Sequence, residues 1–273
     1  MGIRVQKLNG ALAARLHGVD FSSGDPLDDA TVAEIASALW EHGVVAIQAS
    51  EMTPAQHLAL ARSFGEPERH QFFPNLGPGL EEVTLLDSER DRANMWHMDE
   101  PFLERPPVIT MTHAKQLPAH GGDTAFISLH AAYDALSDRM KAYLDGLVAV
   151  HDLALIGEHS WRGGNGDAAK LADMLRTGKQ AVHPVVRVHP YNGRAAVWVC
   201  ETYTRFIQGV PPLEARSLLQ FLFQHLQKPE FGYRHRWEDG DLLIWDNRSV
   251  LHYASFDYTD RRVMYRVSVL EDA

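Results

Sequence analysis

The stretch that most constrains the fold is Gly240–Arg248, which reads Gly-Asp-Leu-Leu-Ile-Trp-Asp-Asn-Arg. Four consecutive apolar residues, Leu242–Trp245, stand between a Gly-Asp turn signal and an Asp-Asn-Arg turn signal. A short apolar run bounded in this way is typical of a buried strand. We therefore expect a strand that crosses the core and turns just before His252.

Similar short runs recur through the chain from residue 82 onward. They are Val83–Leu86, Val108–His113, Thr124–Ile127, Val182–Val188, Ala195–Val199, Leu242–Trp245 and Val263–Leu270. Many short strands at this spacing indicate a sandwich or a barrel. The sequence therefore predicts a mainly β fold with flanking helices, of the α+β class.

Four segments carry helical signals, and most of the chain around them is β-rich. They are Asp28–Glu41, Thr53 to about Phe64, Leu129–Leu147 and Pro212–Leu226. Gly43 can end the first helix, and the apolar run Val44–Ile47 follows it as a strand. We expect the last two helices to support the sheet from outside.

The domain organisation is predicted to be simple. No internal repeat or low-complexity tract divides the chain, so we expect one domain over residues 1–273. Within it, the glycine-rich run Trp161–Gly166 favours irregular backbone. We interpret the segment 153–180 around this run as a lid or insertion.

Composition excludes several classes of function. The formal net charge of -10 would repel phosphate backbones, so we expect a small-molecule substrate and no nucleic acid. The N-terminus has no apolar signal core and no segment is apolar over about 18 residues, so we expect no export and no membrane. Cys200 is the only cysteine, which rules out an intrachain disulfide and favours a reducing, cytoplasmic location. We interpret Cys200 as a buried small hydrophobe, and we expect a homo-oligomer.

His97-Met98-Asp99 is the only His-x-Asp in the chain, although with 15 histidines one such match is expected by chance. On an extended strand, side chains two residues apart share a face, so His97 and Asp99 could both point inward. His252, after the Gly240–Arg248 stretch, would complete a triad of two imidazoles and one carboxylate. This set leaves positions open for oxygen and a chelating substrate, which favours iron(II). Zinc is less favoured because His-Glu-x-x-His is absent.

Two arginines follow the third candidate ligand. Arg262 lies ten residues after His252, enough for the chain to return on an adjacent strand. Its planar guanidinium suits the far carboxylate of a dicarboxylate cosubstrate. Arg266 shares the face of Arg262 by the strand period of two, which implies a second anion site.

These motifs belong together in one known family. They are Trp96-His97-Met98-Asp99 with Phe102 and Pro106-Pro107, Gly121-Gly122-Asp123-Thr124, His183-Pro184-Val185-Val186, and Trp245-Asp246-Asn247-Arg248 through His252-Tyr253 to Arg261-Arg262. From about Gly18 to Leu270 the chain resembles the taurine/2-oxoglutarate dioxygenase (TauD/TfdA-like) family of iron(II)- and 2-oxoglutarate-dependent oxygenases.

The resemblance implies a double-stranded β-helix (jelly-roll) core and an enzyme that uses Fe(II), 2-oxoglutarate and O2. It implies His97, Asp99 and His252 as metal ligands. Thr124 and Arg262 are then expected to bind 2-oxoglutarate, and His70 and Arg266 to bind an anionic substrate such as a sulfonate or carboxylate.

The sequence departs from the taurine enzyme at the substrate end. Phe73 stands where that enzyme has a tyrosine, so a hydroxyl donor is lost, and Glu100 replaces a small apolar residue. Asn94 is a further candidate substrate contact. Taurine itself is therefore doubtful, and Glu100 favours an amine-bearing substrate. The chain from His252 to Arg262 is also one residue shorter, which would shift Arg262 slightly.

Other functions stay open at this point. A family member could act on alkyl sulfates or aryloxyalkanoates, which differ in the carbon that is oxidised. From a different class, the chain could be a non-catalytic or zinc-binding jelly-roll protein, because a fold does not dictate a function.

Overall fold

The computed structural model describes residues 2–70, 73–89, 95–155, 172, 176 and 178–271. The strands of these residues are β1 Arg4–Lys7, β2 Ala14–His17, β3 Val44–Gln48, β4 Thr84–Asp87, β5 Pro107–Gln116, β6 Thr124–Ser128, β7 Val148–Asp152, β8 Gln180–Pro184, β9 Val186–Val188, β10 Ala195–Val197, β11 Thr204–Ile207, β12 Gly232–His235, β13 Asp241–Asp246, β14 Val250–Ala254 and β15 Val263–Leu270. The helices are α1 Asp29–His42, α2 Pro54–Arg62, α3 Leu129–Asp134, α4 Asp138–Leu144 and α5 Pro212–Leu226, with a 3-10 turn at Pro229–Phe231.

The predicted buried strand lies at the centre of the largest sheet. All six residues of β13 are buried, and β13 pairs antiparallel with β3 on one side and β5 on the other. The sheet has the order β1-β2-β3-β13-β5-β15-β4. The apolar run therefore became a central strand because both of its faces are covered.

A second sheet faces this one across the core. It has the order β12-β6-β14, and a further three strands pair as β11-β7-β8. Phe126 of β6 packs edge-on against Trp245 of β13, with ring centroids 5.7 Å apart. The two facing sheets give the jelly-roll architecture, mainly β with flanking helices, that the sequence predicted.

The first two helices pack on the outer side of the large sheet. Asp28 caps α1 by accepting a hydrogen bond from the Thr31 amide, and Gly43 ends it at φ 70°. Thr53 and Gln56 form a reciprocal capping box at the start of α2. Ile35, Leu39, Leu58 and Ala61 belong to one buried cluster with strand residues of the sheet. Both predicted helices are confirmed to within about two residues.

Two predicted elements are wrong in extent. The segment Leu129–Leu147 is not one helix, because Ser137 accepts a hydrogen bond from the Met140 amide and starts α4 as a new helix. The segment Val182–Val188 is two strands: β8 pairs with β7, whereas β9 pairs with β10. Pro184 has no amide hydrogen, so the ladder changes partner beside it. Helix α5 has the predicted bounds.

The remaining sequence expectations have different outcomes. Most of the proposed lid, including Trp161–Gly166, lies outside the described residues, and the single-domain organisation stays a prediction. Cys200 is fully buried as expected, and its burial raises the pKa of the thiol to about 11. In the part of the chain that the structure describes, no helix is both long and apolar enough to cross a membrane.

Candidate metal centre and cosubstrate pocket

A two-bond backbone bridge brings the two candidate histidines together. The His97 amide donates to the His252 carbonyl at 3.1 Å, and the His252 amide donates to the His97 carbonyl at 2.8 Å. His252 belongs to β14, whereas His97 forms only this isolated bridge rather than the extended strand considered from the sequence. The two imidazole rings lie 4.1 Å apart.

Asp99 completes the triad. Its Oδ1 lies 3.9 Å from His97 Nε2 and 3.5 Å from His252 Nε2, and one ligand atom from each residue lies within 4.8 Å of the others. Two nitrogens and one carboxylate oxygen so close together fit a metal ion that keeps open positions. Among the described residues this is the one such group of three or more potential ligands.

A hydrogen bond fixes His97 in the tautomer that a metal ion requires. Met95 offers its carbonyl oxygen to His97 Nδ1 at 2.7 Å, so Nδ1 carries the hydrogen and Nε2 presents its lone pair to the centre. Burial lowers the pKa of both His97 and His252. Both rings are therefore neutral, as metal ligation requires.

Two side chains hydrogen-bond the carboxylate oxygen of Asp99 that points away from the histidines. Thr110 Oγ1 donates to Asp99 Oδ2 at 2.6 Å, and Asn247 Nδ2 donates to the same oxygen at 3.3 Å. Burial opposes ionisation of Asp99, but the charge of Arg266 and the Thr110 hydrogen bond hold the pKa of Asp99 below the usual value. Oδ2 is thus occupied by the protein while Oδ1 faces the histidines.

A cavity of about 140 Å³ opens beside the triad. Its wall consists of Phe73, Leu86, Asp87, Ser88, His97, Thr112, Thr124, Trp237, Trp245, His252, Ala254, Phe256, Tyr258, Arg262 and Arg266. Two candidate ligands, the expected cosubstrate residues and two of the expected substrate residues thus share one space, and this wall is mostly aromatic and apolar.

Arg262 lies at one end of this cavity with unused hydrogen-bonding capacity. Its Nε is buried and has no hydrogen-bond partner, and burial lowers the pKa of its guanidinium. Among the described residues no carboxylate forms an ion pair with it. Trp237 lies beneath the guanidinium with its ring centroid 5.5 Å away, and donates its Nε1 hydrogen to Thr124 Oγ1 at 3.0 Å. The Thr124 hydroxyl hydrogen is therefore available to an incoming carboxylate.

A glycine makes room for this arginine. A Cβ on Gly122, which has φ +73°, would lie 3.3 Å from Arg262 Cδ and 3.4 Å from Nε. The Gly-Gly turn seen in the sequence therefore has a steric purpose at its second residue.

Arg266 lies near the triad in a different environment. Its Nε and Nη2 both donate to Ser268 Oγ, at 3.1 and 3.0 Å, and Nη2 lies 3.6 Å from Asp99 Oδ1. Burial opposes the charge of Arg266, but Asp99 and then the Glu68 carboxylate keep the pKa of Arg266 above its usual value.

The other expected substrate residues are only partly brought together. His70 is buried with its Nε2 3.9 Å from Glu100 Oε1, and its ring lies 4.7 Å from that of Phe73. Burial and then the neighbouring Glu68 carboxylate raise the pKa of Glu100 well above its usual range. Phe73 and Arg266 line the described cavity wall, whereas His70 and Glu100 do not. Asn94 lies outside the described residues.

Sequence reasoning missed several residues of the site. Trp237, Thr110 and Ser268 contact its key groups, but no local motif marks them. Asn247 stands inside the Trp-Asp-Asn-Arg motif, which was used as a turn signal without a role for the amide. The one signal in the sequence for such a role was the position of Asn247 between the predicted buried strand and His252.

The geometry of the site by itself indicates a class of protein. A jelly roll with two histidines and one aspartate beside a cavity, which an arginine with a buried, unpartnered Nε also lines, is the arrangement of a non-haem metal oxygenase that takes an anionic cosubstrate.

Comparison with known proteins identifies the family. The profile of the "Taurine catabolism dioxygenase TauD, TfdA family" matches residues 4–268, and the chain belongs to this family. It is therefore an iron(II)- and 2-oxoglutarate-dependent dioxygenase, an oxidoreductase with O2 as its other cosubstrate.

Named relatives and solved structures agree over almost the whole chain. An alkylsulfatase of Acinetobacter baylyi is 32% identical, covering 98% of this chain and 84% of the relative. An alpha-ketoglutarate-dependent sulfate ester dioxygenase of Pseudomonas putida is 33% identical, covering 97% and 88%. A taurine dioxygenase structure from Burkholderia xenovorans superposes with TM-score 0.83 at 32% identity, covering 100% and 90%.

Proposed function

We propose that His97, Asp99 and His252 bind the iron(II), and that Arg262 and Thr124 bind the far carboxylate of 2-oxoglutarate. The observation that carries this proposal is that two of the converging ligands and the unpartnered Arg262 Nε line one buried cavity. The Arg262 guanidinium hydrogen-bonds the neutral Tyr258 hydroxyl but has no ion pair among the described residues, so its burial is costly unless an anion joins it. A dicarboxylate that reaches from the metal to Arg262 supplies that anion.

The bound metal would activate O2 to hydroxylate a C–H bond of the substrate, coupled to decarboxylation of 2-oxoglutarate to succinate and carbon dioxide. The protein's own residues position and shield these groups. Met95 and Thr110 orient two ligands, Arg262 and Thr124 hold the carboxylate, and Trp237 and Trp245 keep the cavity wall apolar.

For the prime substrate we propose a small organic anion that binds Arg266, such as a sulfonate or carboxylate. Arg266 supports this because it lines the cavity beside the triad. Phe73 offers no hydroxyl donor, which argues against taurine itself. Relatives named for alkyl sulfates, sulfate esters and 2,4-dichlorophenoxyacetate make those compounds the alternative substrates.

Glu100 supports an amine on the substrate. Its Oε2 is buried, and burial together with the neighbouring, hydrogen-bonded Glu68 side chain raises the pKa of Glu100. A substrate ammonium beside this pair would stabilise the ionised carboxylates and give their oxygens a donor. In a panel of matched compounds with and without an amine, Glu100→Gln should weaken the binding of only the amine-bearing compounds. Unchanged affinity for the best amine substrate would contradict this role, and Glu104→Gln at an exposed site is the matched control.

The central test is spectroscopic. Anaerobic addition of iron(II) and 2-oxoglutarate should give a weak visible charge-transfer band that disappears in His97→Ala. Absence of the band in the unmodified protein would refute the proposal. Asp99→Ala should abolish substrate-coupled release of succinate.

The sequence alone left a non-catalytic or zinc-binding jelly roll open, and the family membership favours the enzyme instead. Metal analysis of the purified protein together with a succinate assay tests this directly, because a binding protein would neither need iron nor consume 2-oxoglutarate. A panel of sulfonates, alkyl sulfates, aryloxyalkanoates and amino acids, scored by succinate, would then identify the substrate. The homo-oligomeric state and the cytoplasmic location stay predictions from the sequence.

A further inference from the structure

A chain of buried hydroxyls joins the arginine of the substrate end to the carboxylate of the metal centre. Ser268 of β15 and Thr110 of β5 are directly opposite each other in the sheet ladder, and their hydroxyl oxygens are 3.4 Å apart. Arg266 donates to the first hydroxyl, and the second donates to Asp99. Ser268 is 4% exposed and Thr110 is 0% exposed, so water does not compete for these bonds.

Counting hydrogens gives this chain a single direction. A hydroxyl has one hydrogen to donate and two lone pairs to accept with. Ser268 Oγ accepts from both Nε and Nη2 of Arg266, so its lone pairs are used and its hydrogen points to Thr110 Oγ1. Thr110 Oγ1 also accepts from Asn247 Nδ2 at 3.0 Å, so both of its lone pairs are used. Its one hydrogen is donated to Asp99 Oδ2.

We infer that Ser268 and Thr110 are positioning residues that couple the charge on Arg266 to the strength of Asp99 as a metal ligand. The inference rests on the proposed roles of Asp99 and Arg266. Consecutive hydrogen bonds polarise one another, so an anion on Arg266 weakens donation along the chain. Asp99 then keeps more negative charge for the metal, and substrate anion and metal favour each other's binding. By linkage the effect is mutual.

Apo-protein titrated with cobalt(II), whose visible bands report its coordination, tests the chain without any turnover. Thr110→Val removes the hydrogen bond that orients the Asp99 carboxylate, and this loss of orientation should outweigh the extra negative charge left on Asp99. Cobalt binding should therefore weaken by about 10- to 100-fold, the usual effect of losing an outer partner of a metal ligand. Thr110→Ser keeps the hydroxyl and should restore both the affinity and the band positions. Equal affinity in Thr110→Val and the unmodified protein would overturn the inference.

A double-mutant cycle separates the relay from the direct 3.6 Å interaction between Arg266 and Asp99. Arg266→Gln should change the cobalt affinity by a larger factor in the unmodified background than in Thr110→Val or Ser268→Ala, because only the unmodified protein has the complete chain. Equal factors in all three backgrounds would overturn the relay. If His97→Ala binds cobalt as well as the unmodified protein, the proposed metal site itself has failed, which is a distinguishable result.

Discussion

Two partly buried arginines line the cavity, and they are satisfied in opposite ways. Arg266 is compensated within the protein, by Ser268, Asp99 and the nearby Glu68 carboxylate. Arg262 has an unpartnered Nε and no ion pair among the described residues. From the sequence, both were simply anion-binding candidates on one face of a strand.

The difference separates an obligatory ligand from an exchangeable one. A guanidinium does not lose its proton in a protein, so the burial of Arg262 beside the neutral Tyr258 hydroxyl, without an ion pair among the described residues, leaves a standing electrostatic cost. At Arg262 an anionic cosubstrate removes that cost. At Arg266 an incoming anion must compete with groups already present, so its binding is weaker and more dependent on the rest of the molecule.

The largest effect is expected from Arg262→Ala. Loss of one partner of a buried charged pair costs about 2 to 5 kcal/mol, so the Kd for 2-oxoglutarate should rise by roughly 30-fold or more. Titration of the anaerobic iron(II) charge-transfer band with 2-oxoglutarate measures it. Arg261→Ala is the control, because Arg261 is the next residue in the chain and its guanidinium forms an ion pair with Asp87. An unchanged Kd would reject the role of Arg262.

The two arginines should also differ in the sign of their effect on stability. Without ligands, Arg262→Met removes a charge whose hydrogen-bond partner Tyr258 is neutral and which has no ion pair among the described residues, and should leave the free energy of unfolding unchanged or higher. Arg266→Met leaves the buried Asp99 carboxylate without its closest cation and should lower it by about 1 to 3 kcal/mol. Urea unfolding of the metal-free proteins checks this, and a loss of stability in both variants would erase the contrast.

A smaller effect is expected from Gly122→Ala. The added Cβ would press on Arg262, and the Kd for 2-oxoglutarate should rise about tenfold, which corresponds to about 1.4 kcal/mol. Gly146→Ala is a matched control because Gly146 has φ +72° and open space around it. Both changes carry the same backbone strain, so any difference between them reports the contacts of the added Cβ with Pro118, 3.2 Å from its Cγ, and with Arg262. Equal Kd values in the two variants would show that Gly122 does not position Arg262.

A histidine shows how another basic side chain tolerates burial. Burial and then the charge of His113 lower the pKa of His57 to about 3. Above the unfolded pKa of about 6.5, the His57 imidazole is neutral in both the folded and the unfolded protein. Below pH 6.5 the imidazole gains a proton in the unfolded chain but not in the folded one. The free energy of unfolding therefore falls as the pH drops from about 6.5 towards 3, by up to about 1.4 kcal/mol per pH unit. Urea unfolding at pH 7 to 5 should show a shallower pH dependence in His57→Gln than in His120→Gln, which changes an exposed histidine. Parallel pH profiles would contradict it.

The sequence was sufficient for the features that rest on local patterns. The apolar run of β13, the caps of α1 and α2, and the spacing of His97, Asp99 and Arg262 each have a physical signature within a few residues. The break between α3 and α4 was missed because Ser137 competes with an otherwise continuous helical pattern. The contrast between Arg262 and Arg266 was not predictable, since it depends on hydroxyls and carboxylates from distant strands.

The backbone bridge between His97 and His252, and the nearby contact of Asp99 with Asn247 across 148 residues of sequence, have a consequence for how the enzyme matures. Contacts between such distant parts of a chain form only after long loops have closed, which is slow. During synthesis the first two ligands leave the ribosome long before the third. The complete iron site is therefore a product of late folding, and metal uptake should follow chain completion.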